Sequence, residues 1–311
     1  MRRFVIDTDT ASDDAVALLL ALRSPEIRVE AVTTVAGNVP LPLATRNALL
    51  SIQAAGTYAP PVYEGAARPL LRELFTCEDI HGADGLGDQN LPDPTLRPAG
   101  GRAAVALLDV IRRYPGEVEV AAIGPLTNLA LAARLEPDTL RLVKRLYLMG
   151  TAGFGPGNVT SAAEFNVYVD AEAYDVVLRA GLPVTILGLD VCMGETDLTP
   201  ADQELLMASG QPAARFAVDA GAALRRRRVA AGRTPVLGLP DPVAMAAAIW
   251  PELMLETSPC RASVCIQDGD AYGQVLLERD GPPNVQVCRV FDAKGYKQRL
   301  LTGLGASVKT K

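Results

Sequence analysis

The chain has 311 residues, about half of them apolar, enough for one large α/β domain or two small ones with an extensive core. The 30 Lys and Arg against 36 Asp and Glu give a net charge of −6, a balance that argues against a nucleic-acid partner. The five cysteines (Cys77, Cys192, Cys260, Cys265, Cys288) are scattered without a CxxC pair, so neither a disulfide framework nor a zinc site is indicated and a cytoplasmic location is expected.

The N-terminus passes from "MRR" directly into an apolar strand, and no apolar run approaches the roughly 20 residues that span a bilayer. No signal peptide, anchor or membrane partner is therefore expected. The strand "FVIDT" (4–8) runs into Asp7 and Asp9, which period-two alternation places on one face. Asp13 and Asp14 fall in the first turn of a helix continued by "AVALLLAL", with Ser12 as its expected N-cap. The helix dipole favours acidic residues there by about 0.3–1 kcal/mol, which accounts for Asp13 and Asp14 without any function. It does not account for Asp7 and Asp9. Four carboxylates converging at the end of a strand repel one another unless a cation or shared protons compensate, so a metal site is expected.

Beyond this segment, short β-branched runs alternate with helical patterns. In order they are "VEAVTTVAG" (29–37), a helix through 43–56, "VEVAAIG" (118–124), a helix through 126–135, "RLYLMG" (145–150), a helix from Asp170, and "PVTILGLD" (183–190). This alternation implies βαβ units and a Rossmann-like, open, mostly parallel sheet flanked by helices. Ligands in such sheets bind beyond the carboxyl ends of the strands, where Asp7, Asp9, Asn38, Asn128 and Asp190 lie. Residues 65–98 interrupt the rhythm with a long Gly-, Pro- and Asp-rich connection that holds the single histidine, His81. A helix through 214–232 carries four consecutive arginines, Arg225 to Arg228. Such a run is usually a solvated face, but a helix cannot point four consecutive side chains one way, so at least one faces inward or toward the loop 233–242. After Trp250 the runs "RASVCIQ", "QVLLER" and "NVQVCRVFD" alternate as strands of C-terminal antiparallel hairpins expected to pack on the main sheet, before a closing helix through 296–304. With no clear linker or repeat, one domain over 1–311 is expected.

Two families resemble the acidic N-terminal segment. "VIDTDT" is similar to the Asp-x-Asp-x-Thr/Val start of haloacid dehalogenase-type phosphatases, but the fifth position is Ala11, Asp13 and Asp14 have no role in that scheme, and the remaining motifs must be forced onto Lys144 and the turn at 267–270. "DTDTASDDAVALLLAL" resembles the Asp-x-Asp-x-x-x-Asp-Asp-x-x-Ala signature of the inosine-uridine preferring nucleoside hydrolases, calcium-dependent enzymes that cleave the N-glycosidic bond of ribonucleosides to free base and ribose. Five further segments resemble that family in its own order: "TTVAGNV", "IHGADGLG", "IGPLTNLALAARLEP", "EFNVYVDAEA" and "PDPVAM". The resemblance covers about residues 4 to 250.

The resemblance implies Ca²⁺ held by Asp9, Asp14, the Ile123 carbonyl and Asp241, with Asp9 also the general base that activates the bound water. It implies ribose held by Asp13, Asn38 and Asn166, with Asn158 and Glu164 near the 5′-hydroxyl, Met149 lining that pocket and Asp7 supporting the acidic cluster. For Asn38 and Asn158, each following a glycine, ordinary turn chemistry is the alternative. The departure is Pro240. Many family members have a histidine directly before the aspartate at 241, proposed to protonate the leaving base, and others a tryptophan; proline can neither donate a proton nor stack as indole does. His81 is then a candidate base-side contact, and an arginine from 225–233 another group that could stabilise the leaving base. The remaining readings are a relative adapted to another ribosylated or modified nucleoside and a non-catalytic nucleoside-binding protein. The family also carries the expectation of a homodimer or homotetramer.

Overall fold

The computed structural model describes residues 1–307. Nine strands form one sheet: β1 (Arg2–Thr8), β2 (Ile27–Thr34), β3 (Val62–Glu64), β4 (Val118–Ala122), β5 (Arg145–Met149), β6 (Val184–Leu187), β7 (Met254–Val264), β8 (Val275–Glu278) and β9 (Val285–Phe291), in the order β3-β2-β1-β4-β5-β6-β9-β7-β8. From β3 to β9 all neighbours are parallel, while β7 runs antiparallel to both β9 and β8. The expected C-terminal antiparallel strands are present and join the main sheet, lengthening its edge. β9 supplies a backbone ladder to β6, which satisfies hydrogen-bonding groups that face-to-face packing would leave open.

Alternation along β1 explains the two-layer core. Phe4 and Ile6 join one apolar cluster with the Ser12–Arg23, Leu41–Ala55, Pro212–Ala220 and Pro240–Ile249 helices, whereas Val5 joins the other with the Ala103–Arg113, Thr127–Leu135 and Ala171–Leu178 helices. The Ser12–Arg23 helix is buried from Ser12 to Leu22 and packs against the equally buried Pro240–Ile249 helix, whose Ala244, Ala246, Ala247 and Ala248 permit close approach. Both helices begin at the carboxyl end of the sheet, so their N-termini come together there.

Several local expectations change. The Ser12–Arg23 helix is capped at Ala11, and the Ser12 hydroxyl instead meets His81 Nδ1 at 2.7 Å. The helix expected through 214–232 is two, Pro212–Ala220 and Ala222–Ala230, broken at Gly221, where low helix propensity permits the turn. β3, the Ala103–Arg113 helix and the Pro200–Ala208 helix have no counterpart in the expected pattern. Within 65–98 the one helix is the single turn Glu78–His81. No helix among the described residues is long and apolar enough to cross a membrane.

Candidate active site

The strand order reverses between β1 and β4, and a crevice at such a switch point is where open α/β sheets bind ligands. Four strand ends feed it: Thr8 to Asp14 beyond β1, Gly37 and Asn38 beyond β2, Ile123 and Gly124 beyond β4, and Met149 at the end of β5. Asp9 is gripped between two of them. A Cβ on Gly37 would overlap Asp9 Oδ2, and one on Gly124 would lie 2.6 Å from Asp9 Oδ1, so only glycine lets both neighbouring segments close on this carboxylate.

The four N-terminal aspartates are buried, each in a different polar setting. Asp7 Oδ1 accepts hydrogen bonds from the Thr33 hydroxyl and from Asn128 Nδ2 at 2.8 Å; Asn128 also donates to the Thr34 carbonyl, tying β1 to β2. Asp9 Oδ2 accepts from the Asn38 amide at 2.6 Å. Asp14 Oδ1 accepts from the Thr8 hydroxyl at 2.6 Å, and its Oδ2 from the Ala11 amide at 2.9 Å and from Asn38 Nδ2 at 3.2 Å. Asp13, Asp14 and Asp241 present carboxylate oxygens within 4.8 Å of one another. This trio includes Asp13, expected on ribose, and does not include Asp9, expected on the metal.

Too little positive charge serves these groups. Burial, aided by the charges of Asp14 and Asp13, pushes the Asp9 carboxyl well up; burial together with Asp13, Asp14 and Asp9 does the same for Asp241. Burial also raises Asp7 to about 6 against the hydrogen bonds from Thr33 and Asn128, and Asp13 and Asp14 move in the same direction. Asp9 Oδ1 and Asp13 Oδ1 are buried without a hydrogen-bond partner. Unpartnered carboxylate oxygens in an all-oxygen cluster fit a hard divalent cation, which would offset this repulsion.

Above the cluster lies a cavity of about 330 Å³. Of the expected residues, Asp13, Asn38, His81, Ile123, Met149, Asn158, Glu164, Asn166, Pro240 and Asp241 line it, whereas Asp7, Asp9 and Asp14 lie buried beside it. Glu164 caps the Phe165–Val169 helix, accepting from the Asn166 amide at 3.0 Å and the Val167 amide at 3.3 Å, and burial raises its carboxyl to about 7. Asn166 Nδ2 donates to the carbonyls of Ile123 and Met149, each at 3.2 Å. Asn158 Oδ1 accepts from the Phe165 amide at 2.9 Å, seven residues on, and Asn158 also lines the cavity. Burial lowers the His81 imidazole to about 4, partly countered by Asp14 and Asp79, so the ring is neutral at physiological pH.

Phe75, Cys77, Asp79 and Ile80, none of them expected at the site, line the cavity from the long connection. Thr8 and Thr33 were equally unexpected, and Ser12 was expected only as a cap; polar residues at strand ends and beside the aspartates were the available signal. From the Ala222–Ala230 helix, Arg227 alone lines the cavity. The groups a phosphatase reading needs are elsewhere: Lys144 pairs with Glu119, which also binds Arg2 at the opposite end of β1, and Asp268 pairs with Arg72.

Known proteins resemble the chain in sequence and in fold. An uncharacterized protein of Schizosaccharomyces pombe is 44% identical over 190 residues, 61% of each chain. Uridine nucleosidase 1 of Arabidopsis thaliana is 42% identical over 205 residues, 66% of this chain and 60% of that protein. The chain thus matches about three fifths of the length of these two relatives. A solved plant nucleoside hydrolase superposes with a TM-score of 0.92 at 32% identity, covering 98% of this chain and 99% of the other. The family description "Inosine-uridine preferring nucleoside hydrolase" matches residues 4–298, and the chain belongs to that family.

Proposed function

We propose that the chain is a calcium-dependent N-ribohydrolase that cleaves ribonucleosides with water to free base and ribose. The observation that carries this reading is the pair of unpartnered buried oxygens, Asp9 Oδ1 and Asp13 Oδ1, beside a nucleoside-sized cavity walled by carboxylates and asparagines. Asp9, Asp14, the Ile123 carbonyl and Asp241 would hold the cation. A mixed set of carboxylates and a carbonyl from three separate segments suits calcium, which accepts irregular geometry, better than magnesium, which demands a regular octahedron. When bound, the cation offsets the carboxylate charge and acidifies a water.

Asp9 takes the proton from the attacking water as oxygen bonds to C1′ on the face opposite the base, inverting that centre. Asp13, Asn38 and Asn166 hold the ribose hydroxyls, Asn158 and Glu164 receive the 5′-hydroxyl beside Met149, and Asp7 keeps β1 and Asn128 in register beneath the cluster. His81 and Pro240 border the base. Pro240 on that wall favours a second reading, a relative tuned to another ribosylated or modified nucleoside. We further propose a single folding unit, assembled as a homodimer or homotetramer in the cytoplasm, with no nucleic-acid or membrane partner; the five free thiols suit a reducing compartment. The decisive experiment is ribose release from a panel of nucleosides, with calcium and after chelation. Calcium-dependent release supports the assignment; cleavage that survives complete removal of divalent cations, or tight nucleoside binding without turnover, rejects it.

A further inference from the structure

We propose that Arg227 stabilises the departing base as an anion, replacing the proton donor that Pro240 cannot be; this rests on the N-ribohydrolase activity proposed above. Pro240 lines the cavity and has neither an N–H nor a titratable group. His81 shares that wall, but its Nδ1 is engaged by the Ser12 hydroxyl at 2.7 Å, which leaves one neutral ring nitrogen for substrate. Among the described residues lining the cavity, Arg227 is the one cation. Its Nη1 meets Asp79 Oδ2 at 3.1 Å, and both side chains are more than half exposed, so the ion pair is screened and easily exchanged for another acceptor. The next residue back, Arg226, reaches Gly87 and Asp88, clasping the Ala222–Ala230 helix to the loop that carries His81. The clasp fixes the helix while leaving the Arg227 guanidinium free to turn over the cavity mouth.

The chemistry needs such a group. As the C1′–N bond breaks, its electron pair goes to the base nitrogen and spreads onto ring carbonyl oxygens, while the water oxygen bonds to C1′ and its proton passes to Asp9. Arg227 keeps its own proton throughout and donates two parallel N–H bonds to the developing oxyanion. The released base anion then takes a proton from solvent, and Asp9 returns one to solvent, so the balance is nucleoside plus water to ribose plus neutral base. A guanidinium serves bases that leave as oxygen-delocalised anions, such as uracil, and gives little to adenine, whose departure calls for a proton on a ring nitrogen. The substrate class implied is therefore ribosides of carbonyl-bearing bases.

Arg227→Ala tests this on two substrates: uridine, and para-nitrophenyl riboside, whose leaving group departs unaided. The expected result is a loss of about 100-fold in kcat/KM on uridine, the scale for removing one oxyanion donor, with para-nitrophenyl riboside cleaved nearly as well as by the wild type. Millimolar guanidinium should restore part of the uridine activity. Equal losses on the two substrates, or no loss on either, would overturn the role of Arg227. A wild-type protein that cleaves neither substrate would overturn the hydrolase reading itself.

Discussion

On the proposed mechanism much of the chemistry depends on Asp9, one carboxylate held between two backbones. Its Oδ2 is satisfied by the Asn38 amide, while Oδ1 is buried with no partner, so one oxygen is anchored and the other is free to accept a proton or bind a cation. Replacing Asp9 with Asn keeps the shape and removes the base. Ribose release should fall by about 10²- to 10⁴-fold, mainly in kcat, measured by steady-state assay at saturating calcium; a variant with unchanged kcat would contradict the assignment. Gly37→Ala tests the setting rather than the group, because the added methyl overlaps Asp9 Oδ2. Calorimetric titration should show weaker calcium binding in that variant while far-ultraviolet dichroism stays native. The acidic segment was legible in the sequence because its spacing repeats a family signature. The contact of Ser12 with His81 was not legible, since a serine at a helix start reads first as a cap and its partner lies 69 residues away.

The paired buried helices, Ser12–Arg23 and Pro240–Ile249, turn a local sequence pattern into a site. Their N-termini bring Asp13, Asp14 and Asp241 together, and the positive ends of both helix dipoles lie beside the carboxylates. The alanines of the second helix set the separation, so Ala244→Leu should overpack the contact. An expected loss of about 1–3 kcal/mol in chemical denaturation should come with weaker calcium binding, because Asp241 sits one turn away. Stability lost without any change in binding would separate the packing from the site. The strand and helix alternation was legible for the parallel core because those runs are long, apolar and buried on both faces. β3 escaped because three residues carry little pattern, and the break at Gly221 because the arginine run on its far side continues a helical periodicity. The place of the C-terminal strands in the sheet was not readable: alternation gives a strand its faces but not its neighbour, and β9 lies next to β6 through pairs 101 residues apart in the chain, as Val184 with Val285.

Across the whole molecule the acidic cluster links folding to pH and to the cation. Asp7 titrates at about 6 and Glu164 at about 7 in the folded chain, both raised by burial, and Asp9, Asp13, Asp14 and Asp241 are raised as well. Unfolded carboxyls titrate near 4, so between about pH 4 and pH 7 the folded metal-free chain holds more protons than the unfolded one. Stability must then fall as pH rises through that window, the opposite of the usual behaviour of salt-bridged aspartates. A bound cation reverses the balance, since it binds the deprotonated carboxylates of the folded state and competes with protons for them. Thermal unfolding of the chelated protein should therefore show Tm dropping as pH is raised from about 5 to about 7.5, with the calcium-loaded protein holding or gaining Tm over the same range. The gap between the two curves should widen toward neutral pH. Parallel curves would mean that the cation is not held by these carboxylates, and the site would have to be sought elsewhere in the chain.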